Sequence, residues 1–265
     1  MDRRTLSRKA RLVASVVGPL SSLAALLAVT AAPATAAPAP AAPVAQAAAP
    51  AAQGGHYYIL IPGTCDGANH VYDNVDFKGG IPLKVHYAAS APGVCGDMPY
   101  NQSVEDGRFK ARAVIEQAYR NDPSGEFTVV GYSQGAQVAN RLLEDIADGR
   151  TIVPKGQVNA KLYADPMQPV TGIGAVFPKG MAIPFGGYVS PGPGRTDFGG
   201  IPYLRYCIET DGVCDNRRPW ESIGGYFAQH SCYAGHVFWT ITDGVYSNAS
   251  HFWPRINCRP PWPVL

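Results

Sequence analysis

One serine lies in a pattern suited to nucleophilic catalysis, Gly131-Tyr132-Ser133-Gln134-Gly135. A Gly-x-Ser-x-Gly sequence permits a sharp turn from a strand into a helix, because glycine has no side chain to collide with the neighbouring backbone. The turn raises the serine hydroxyl at the helix N-terminus, where the dipole and free N–H groups stabilise a developing oxyanion. We therefore predict that Ser133 is the nucleophile of an acyl transfer and that the N–H of Gln134 is an oxyanion donor.

The segments around this pattern have the local character that the turn requires. Residues 127–130 are a β-branched apolar run typical of a buried strand, and residues 136–147 carry apolar residues at helical spacing. Further strands are predicted at 57–61 and 161–164, with another helix at 103–120. This alternation predicts an α/β fold with a mainly parallel central sheet flanked by helices.

A nucleophilic serine also needs an acid that orients its base, and four carboxylates follow Ser133 at usable positions: Asp165, Glu209, Asp211 and Asp215. Asp165 precedes a proline and is more typical of a turn at the end of a strand. Asp211 lies between Cys207 and Cys214, whose disulfide would hold the carboxylate rigidly. Asp211 is therefore the predicted acid, with Asp215 as the alternative.

The chain has six cysteines, all after residue 64, and an even number in an exported protein indicates disulfides. Proximity along the chain favours Cys207–Cys214 and then Cys65–Cys95, which leaves Cys232–Cys258. No Cys-x-x-Cys pair is present, so a structural zinc site is not predicted. His70, Asp73 and Asp76 have residue types that bind metals, but the sequence offers no matching distant ligand, so no metal site is predicted there.

The N-terminal residues indicate export. A basic segment, an apolar stretch and small residues predict a secretory signal peptide over 1–36, followed by an Ala/Pro-rich linker over 37–55. The catalytic domain is then expected at 56–265, in a secreted, extracellular protein. This part of the chain is nearly neutral and has no basic stripe, so nucleic acid is not an expected partner.

Two segments carry a resemblance to a known family. The elbow around Ser133, together with the stretch from Cys207 to Cys214, resembles the cutinase-like serine esterases, and residues 211–215 resemble the Asp-Gly-x-x-Asp segment of the related PE-PPE-domain hydrolases. The resemblance implies a cutinase-like α/β-hydrolase fold, a second oxyanion donor at Thr64 in the Gly63-Thr64 pair, and no cofactor.

The base is then chosen from the histidines that follow Ser133, namely His230, His236 and His251. The spacing from Asp211 favours His230 for a compact cutinase. The similarity to the PE-PPE hydrolases favours His236, which follows the flexible Gly235 and precedes an apolar stretch. We predict His236 as the base, with His230 as the alternative.

The implied activity is that of a secreted serine esterase, which hydrolyses acyl, lipid or polyester esters through an acyl-enzyme. The expected partners are an acyl-ester or lipid substrate and a cell-envelope lipid surface, and the protein is expected to be a monomer. The alternatives are a cell-wall esterase acting on mycolyl-type esters, and a non-catalytic exported surface-binding protein on the same fold.

Overall fold

The computed structural model describes residues 54–182 and 186–258. The predicted signal peptide and all but the last two residues of the predicted linker lie outside the described residues. Within the described ranges, no helix is both long enough and apolar enough to cross a membrane.

A six-stranded parallel sheet forms the centre of the domain, in the order β2-β1-β3-β4-β5-β6. Its strands are β1 (His56–Ile61), β2 (Ile81–Lys84), β3 (Glu126–Tyr132), β4 (Val158–Tyr163), β5 (Tyr203–Ile208) and β6 (Ala249–Trp253). β2 contains Pro82, which cannot donate to a ladder, and this strand accordingly lies at the edge of the sheet.

Five helices accompany the sheet: α1 (Tyr100–Asn121), α2 (Gln134–Ala147), α3 (Ile173–Val176), α4 (Pro219–Gln229) and α5 (Tyr233–His236). Single 3₁₀ turns cover Lys155–Gln157, His230–Cys232 and Phe238–Thr242. The two longest helices, α1 and α2, connect β2 to β3 and β3 to β4.

The sheet is buried on both faces because successive strand residues point to opposite sides. Val129 packs in one core cluster with residues of α1 and α2. Val130, the next residue, packs in a second cluster with Tyr233 and Phe238 from the segment after α4. The core therefore has two layers, one on each side of the sheet.

The chain changes direction between β1 and β3. It adds β2 outside β1 and then returns to place β3 on the other side of β1. The carboxyl ends of β1 and β3 consequently border a crevice, which is where ligands bind in open parallel sheets. The Gly63-Thr64 pair and Ser133 follow these two strand ends, so the topology brings both to this crevice.

This architecture confirms the predicted fold, a cutinase-like α/β-hydrolase with a parallel sheet between helices. β2, β5 and β6 were not predicted from the sequence, and in β5 the charged Arg205 interrupts the apolar pattern. In the structure Arg205 is fully buried, and its guanidinium binds the carboxylate of Asp165 with Nε to Oδ2 at 2.7 Å.

Candidate active site

Ser133 stands in a strained turn between β3 and α2. Its φ of 56° and ψ of −123° lie where residues with side chains are rare. A Cβ at position 131 would lie 2.5 Å from the carbonyl oxygen of Gly135, and one at position 135 would lie 2.2 Å from that of Ile61. Both glycines are therefore required by close approach of backbone, and the Ser133 N–H is anchored on the Tyr163 carbonyl at 2.9 Å.

The structure brings Ser133, His230 and Asp211 into one chain of hydrogen bonds. Nε2 of His230 lies 2.9 Å from Oγ of Ser133. Nδ1 of the same ring lies 2.9 Å from Oδ2 and 3.1 Å from Oδ1 of Asp211. The Asp211 side chain is fully buried and that of His230 is 14% exposed. The arrangement matches a nucleophile, a base and an orienting carboxylate in contact order; their catalytic roles stay predictions.

His236 does not reach this site, so the predicted base is wrong in position. α4 extends to Gln229 and places His230, the next residue, over Ser133. His236 lies at the end of α5 with an exposed side chain, and within the described residues its imidazole makes no hydrogen bond to Ser133 or Asp211. The alternative, His230, occupies the expected position because it directly follows the last residue of α4.

Asp211 is held by a short loop that follows β5. The Cys207–Cys214 disulfide closes this loop across seven positions. The backbone N–H of Val213 donates to Oδ1 of Asp211 at 3.1 Å, and the N–H of Asp215 donates to its carbonyl oxygen at 2.7 Å. The loop thus holds the backbone of Asp211 and supplies one N–H donor to its carboxylate, on Oδ1.

Asp215, the alternative acid, has a different set of partners. Its carboxylate accepts hydrogen bonds from the Arg217 guanidinium at 2.7 and 2.9 Å and from the Thr210 N–H at 2.9 Å. Burial alone would raise its pKa, but these hydrogen bonds hold the pKa below the ordinary value. Asp215 therefore stabilises the loop through its hydrogen bonds to Thr210 and Arg217, and it makes no hydrogen bond to His230.

The predicted oxyanion donors lie on the two strand ends beside the nucleophile. Gln134 begins α2, and its side chain is anchored by Oγ of Ser103 at 3.1 Å and by the carbonyl oxygen of Ser90 at 3.1 Å. A Cβ on Gly63 would lie 3.2 Å from Cβ of Ser133, so the Gly63-Thr64 backbone packs against the nucleophile. Over residues 54–182 and 186–258, neither the Gln134 nor the Thr64 N–H donates to another group.

Three tyrosines that the sequence analysis assigned no role surround the imidazole. The rings of Tyr132 and Tyr226 stack on His230, with centroids 5.2 and 5.0 Å away. The Tyr132 hydroxyl also donates to the His230 carbonyl oxygen. The Tyr233 hydroxyl donates to Oδ2 of Asp211 at 2.9 Å. Burial, and then the charge of Asp211, raise the pKa of all three hydroxyls, which therefore stay protonated.

Tyr132 is the first variable residue of the elbow pattern, and Tyr233 lies three residues after His230. These positions are the sequence signals that could have pointed to the two tyrosines.

The three predicted disulfides are confirmed: Cys65–Cys95, Cys207–Cys214 and Cys232–Cys258. Each has one end close to a different component of the site. Cys65 follows Thr64, the second pair encloses Asp211, and Cys232 lies two residues after His230.

The remaining charged candidates serve other purposes. Asp165 is completely buried, and it pairs with Arg205 and accepts a hydrogen bond from Nδ2 of Asn140 at 2.9 Å.

No three His, Cys, Asp or Glu side chains gather to hold a metal ion in the part of the chain that the structure describes.

Solved structures of other proteins resemble parts of the chain. The catalytic core domain of acetyl xylan esterase from Trichoderma reesei aligns over 72% of this chain and 98% of its own, with 21% identity and a TM-score of 0.45. A cutinase-like protein from Cryptococcus sp. aligns over 61% and 80%, with 18% identity and a TM-score of 0.40. Lysin B from mycobacteriophage D29 aligns over 49% and 50%, with 22% identity and a TM-score of 0.36. No curated protein sequence matches significantly.

A family model gives the more direct result. The model described as the PE-PPE domain matches residues 82–251, which is more than half of the chain. The matched segment contains Ser133, Asp211 and His230, whereas the Gly63-Thr64 pair precedes it. The match confirms the resemblance seen in the sequence, and the chain belongs to the PE-PPE domain family.

Proposed function

We propose that this protein is a secreted serine hydrolase of carboxylic esters. The observation that carries the proposal is the unbroken series of hydrogen bonds from Ser133 through His230 to the buried Asp211, with Nε2 to Oγ and Nδ1 to Oδ2 both at 2.9 Å. The strained elbow supports it, because unfavourable backbone geometry of this kind is concentrated at functional sites.

In the proposed reaction, Oγ of Ser133 attacks the ester carbonyl carbon while Nε2 of His230 takes the hydroxyl proton. The N–H groups of Gln134 and Thr64 stabilise the oxyanion, each worth about 3–4 kcal/mol of barrier. Collapse of the tetrahedral intermediate expels the alcohol, which receives the proton from His230. Water then repeats the sequence on the acyl-enzyme and releases the acid. The cycle requires no cofactor.

The surface beside the site supports an apolar acyl substrate. Three side chains of α4 form what we name the α4 apolar face: Trp220, Ile223 and Phe227, which are 89%, 60% and 50% exposed. Their spacing places them on one side of the helix, and the helix leads directly into His230. Exposed apolar residues grouped in this way mark contact surfaces. We therefore favour a lipid or polyester surface that presents the ester to Ser133.

Export is part of the proposal. Three disulfides within 54–258 are typical of proteins that act in an oxidising compartment. They agree with the signal peptide expected from the sequence.

The test is covalent labelling by a fluorophosphonate, with the modified residue identified by mass spectrometry. We expect one label, on Ser133, and loss of both labelling and ester turnover in Ser133→Ala, with turnover falling by about 10⁴-fold or more. Ser124→Ala, which changes an exposed serine, is the matched control and should behave as the wild type. A folded Ser133→Ala protein that retained turnover would contradict the proposal.

The two histidines provide a second pair of matched variants. His230→Ala should lower turnover by several orders of magnitude, because Ser133 loses its proton acceptor. His236→Ala removes an exposed imidazole six residues further on and should change turnover by less than threefold. The opposite result would assign the role of the base to His236.

A series of p-nitrophenyl esters of increasing chain length, together with mycolyl-type esters, then separates the substrate classes. Preference for mycolyl-type esters would assign the protein to cell-wall hydrolysis. If the wild-type protein neither reacts with the fluorophosphonate nor hydrolyses any ester, the alternative of a non-catalytic surface-binding protein is supported.

A further inference from the structure

Tyr233 contacts Oδ2 of Asp211, the acid of the proposed triad, whereas the backbone N–H of Val213 in the acid loop contacts Oδ1. Its side chain is completely buried, and its hydroxyl lies 2.9 Å from Oδ2 of Asp211. The same carboxylate oxygen accepts from Nδ1 of His230 at 2.9 Å. One oxygen therefore receives two donors, an imidazole N–H and a phenol.

The direction of the phenol hydrogen follows from its other partners. The backbone N–H of Ile208 donates to the Tyr233 oxygen at 2.8 Å, so this oxygen is already an acceptor. The Cys214 sulfur, 3.4 Å away, is in a disulfide and has no hydrogen to offer. The Tyr233 hydrogen is thus free to point at Asp211, which as a carboxylate is a much better acceptor than sulfur.

Local structure explains why the imidazole and the phenol converge. His230 opens a 3₁₀ turn and Tyr233 opens α5 directly after it. Residues three apart in such consecutive turns share one face. A single short segment therefore carries both donors, and the neighbouring Cys232 ties that segment to Cys258.

We propose that Tyr233 is a positioning residue of the ester hydrolase, and that its hydroxyl fixes the orientation of the Asp211 carboxylate against the His230 imidazole. The inference rests on the proposed function. Without the hydroxyl, the carboxylate keeps the Val213 N–H on Oδ1 and the His230 imidazole, but it loses the buried donor on Oδ2 that limits rotation of the carboxylate. The imidazole would then be held less well in the tautomer and direction that proton transfer from Ser133 requires.

The test compares two variants that each remove one buried phenol hydroxyl. Tyr233→Phe removes the hydroxyl on Asp211. Tyr206→Phe is the matched control, since its ring lies in the same core cluster and its hydroxyl donates to another carboxylate, Oδ2 of Asp243 at 3.2 Å, away from the triad. For Tyr233→Phe we expect kcat to fall by roughly 10- to 100-fold, as for loss of a hydrogen bond to a charged group, with KM changed by less than twofold. A group this deeply buried does not touch the substrate, so the loss should be confined to kcat.

A spectroscopic measurement separates positioning from general destabilisation. The Nδ1 proton of His230 should give a downfield NMR signal that moves or broadens in Tyr233→Phe and is unchanged in Tyr206→Phe. Equal kcat and equal imidazole signals in the two variants would overturn the inference. This signal does not depend on turnover, so it tests Tyr233 even if Ser133 labelling fails and the proposed function with it.

A second variant covers the case in which Tyr233→Phe does not fold. Replacement of Tyr233 by 3-fluorotyrosine keeps the ring and the hydroxyl but makes the hydroxyl a stronger donor. The imidazole signal should then move with little change in thermal stability. An imidazole signal identical to that of the wild type would refute the role.

Discussion

Two adjacent glycines of α4 should respond to the same substitution in opposite ways. A Cβ at Gly224 would meet no atom within 4 Å, whereas a Cβ at Gly225 would lie 2.0 Å from the backbone oxygen of Thr210. Thr210 immediately precedes Asp211, and its own φ is 69°, so it has little freedom to adjust. Position 225 is therefore where α4 presses on the acid loop.

The magnitude follows from the distances. Ordinary van der Waals contact begins near 3.4 Å, so Gly225→Ala must separate α4 from Thr210 by more than 1 Å. Overpacking of this kind costs about 1–3 kcal/mol, partly offset by the gain of about 1 kcal/mol when alanine replaces glycine in a helix. Gly224→Ala has the stabilising effect of alanine in a helix without the cost of overpacking. We expect Gly224→Ala to be more stable than the wild type by about 0.5–1 kcal/mol, and the two variants to differ by about 1–3 kcal/mol.

Activity should separate the variants further. A shift of about 1 Å in a group that positions the reaction can lower turnover by about 100-fold. Gly225→Ala should therefore lose kcat, because Thr210 carries Asp211 with it, while Gly224→Ala keeps the wild-type value. Urea unfolding and ester kinetics on both proteins give the comparison. Equal stability and equal kcat would show that α4 does not press on the acid loop as the structure indicates.

Two further predictions concern the acid loop and the surface of α4. Replacing Cys207 and Cys214 by alanine should lower the free energy of unfolding by about 2.5 kcal/mol, the loop-closure value for a bridge this short. The same change should reduce kcat more than it raises KM, and both kinetic constants are measured on the folded variant. An unchanged kcat would contradict the positioning of Asp211 by the loop. Changing all three residues of the α4 apolar face to serine should reduce hydrolysis of emulsified long-chain esters by at least about tenfold while hydrolysis of dissolved short esters stays the same. Phe109→Ser, at an exposed position on α1, is the control, and an equal loss there would refute a docking role for α4.

The residues that we propose as nucleophile and acid were found in the sequence because their signals are local. The elbow around Ser133 needs two glycines at fixed offsets, and Asp211 lies between two cysteines close enough to pair. Short-range constraints of this kind are visible in sequence. The two long helices and the strands β1, β3 and β4 were predictable for the same reason, since each has a continuous apolar pattern.

The base could not be predicted from local pattern. His230 and His236 both have an aromatic residue three positions later, and either could follow a flexible segment. The choice depends on where α4 ends, and α4 contains Gly224 and Gly225, which weaken its helical signal. The packing of Gly225 on Thr210, a contact between residues 15 positions apart, sets the path of the chain to His230. Helix propensity therefore left the choice between His230 and His236 open, and the contact between Gly225 and Thr210 decides it.

The strand β5 was missed because a charged residue in a sequence usually indicates an exposed position, whereas the charged residue of β5 is buried. Arg205 is inside the protein, and its partners are Asp165, two residues after β4, and Asn140 of α2. No single-residue scale can identify a buried guanidinium before its partners are known.

The placement of the three disulfides has a consequence for the cell that makes the protein. Each cross-link fixes a different part of the machinery: the loop with Thr64, the loop with Asp211, and the turn after His230. A newly synthesised chain with reduced thiols has every reactive side chain but none of these three constraints. We expect such a chain to be a poor esterase. For the secreted hydrolase that we propose, oxidation of the thiols after export would then act as the activating step, and the lipids of the producing cell would be protected until then.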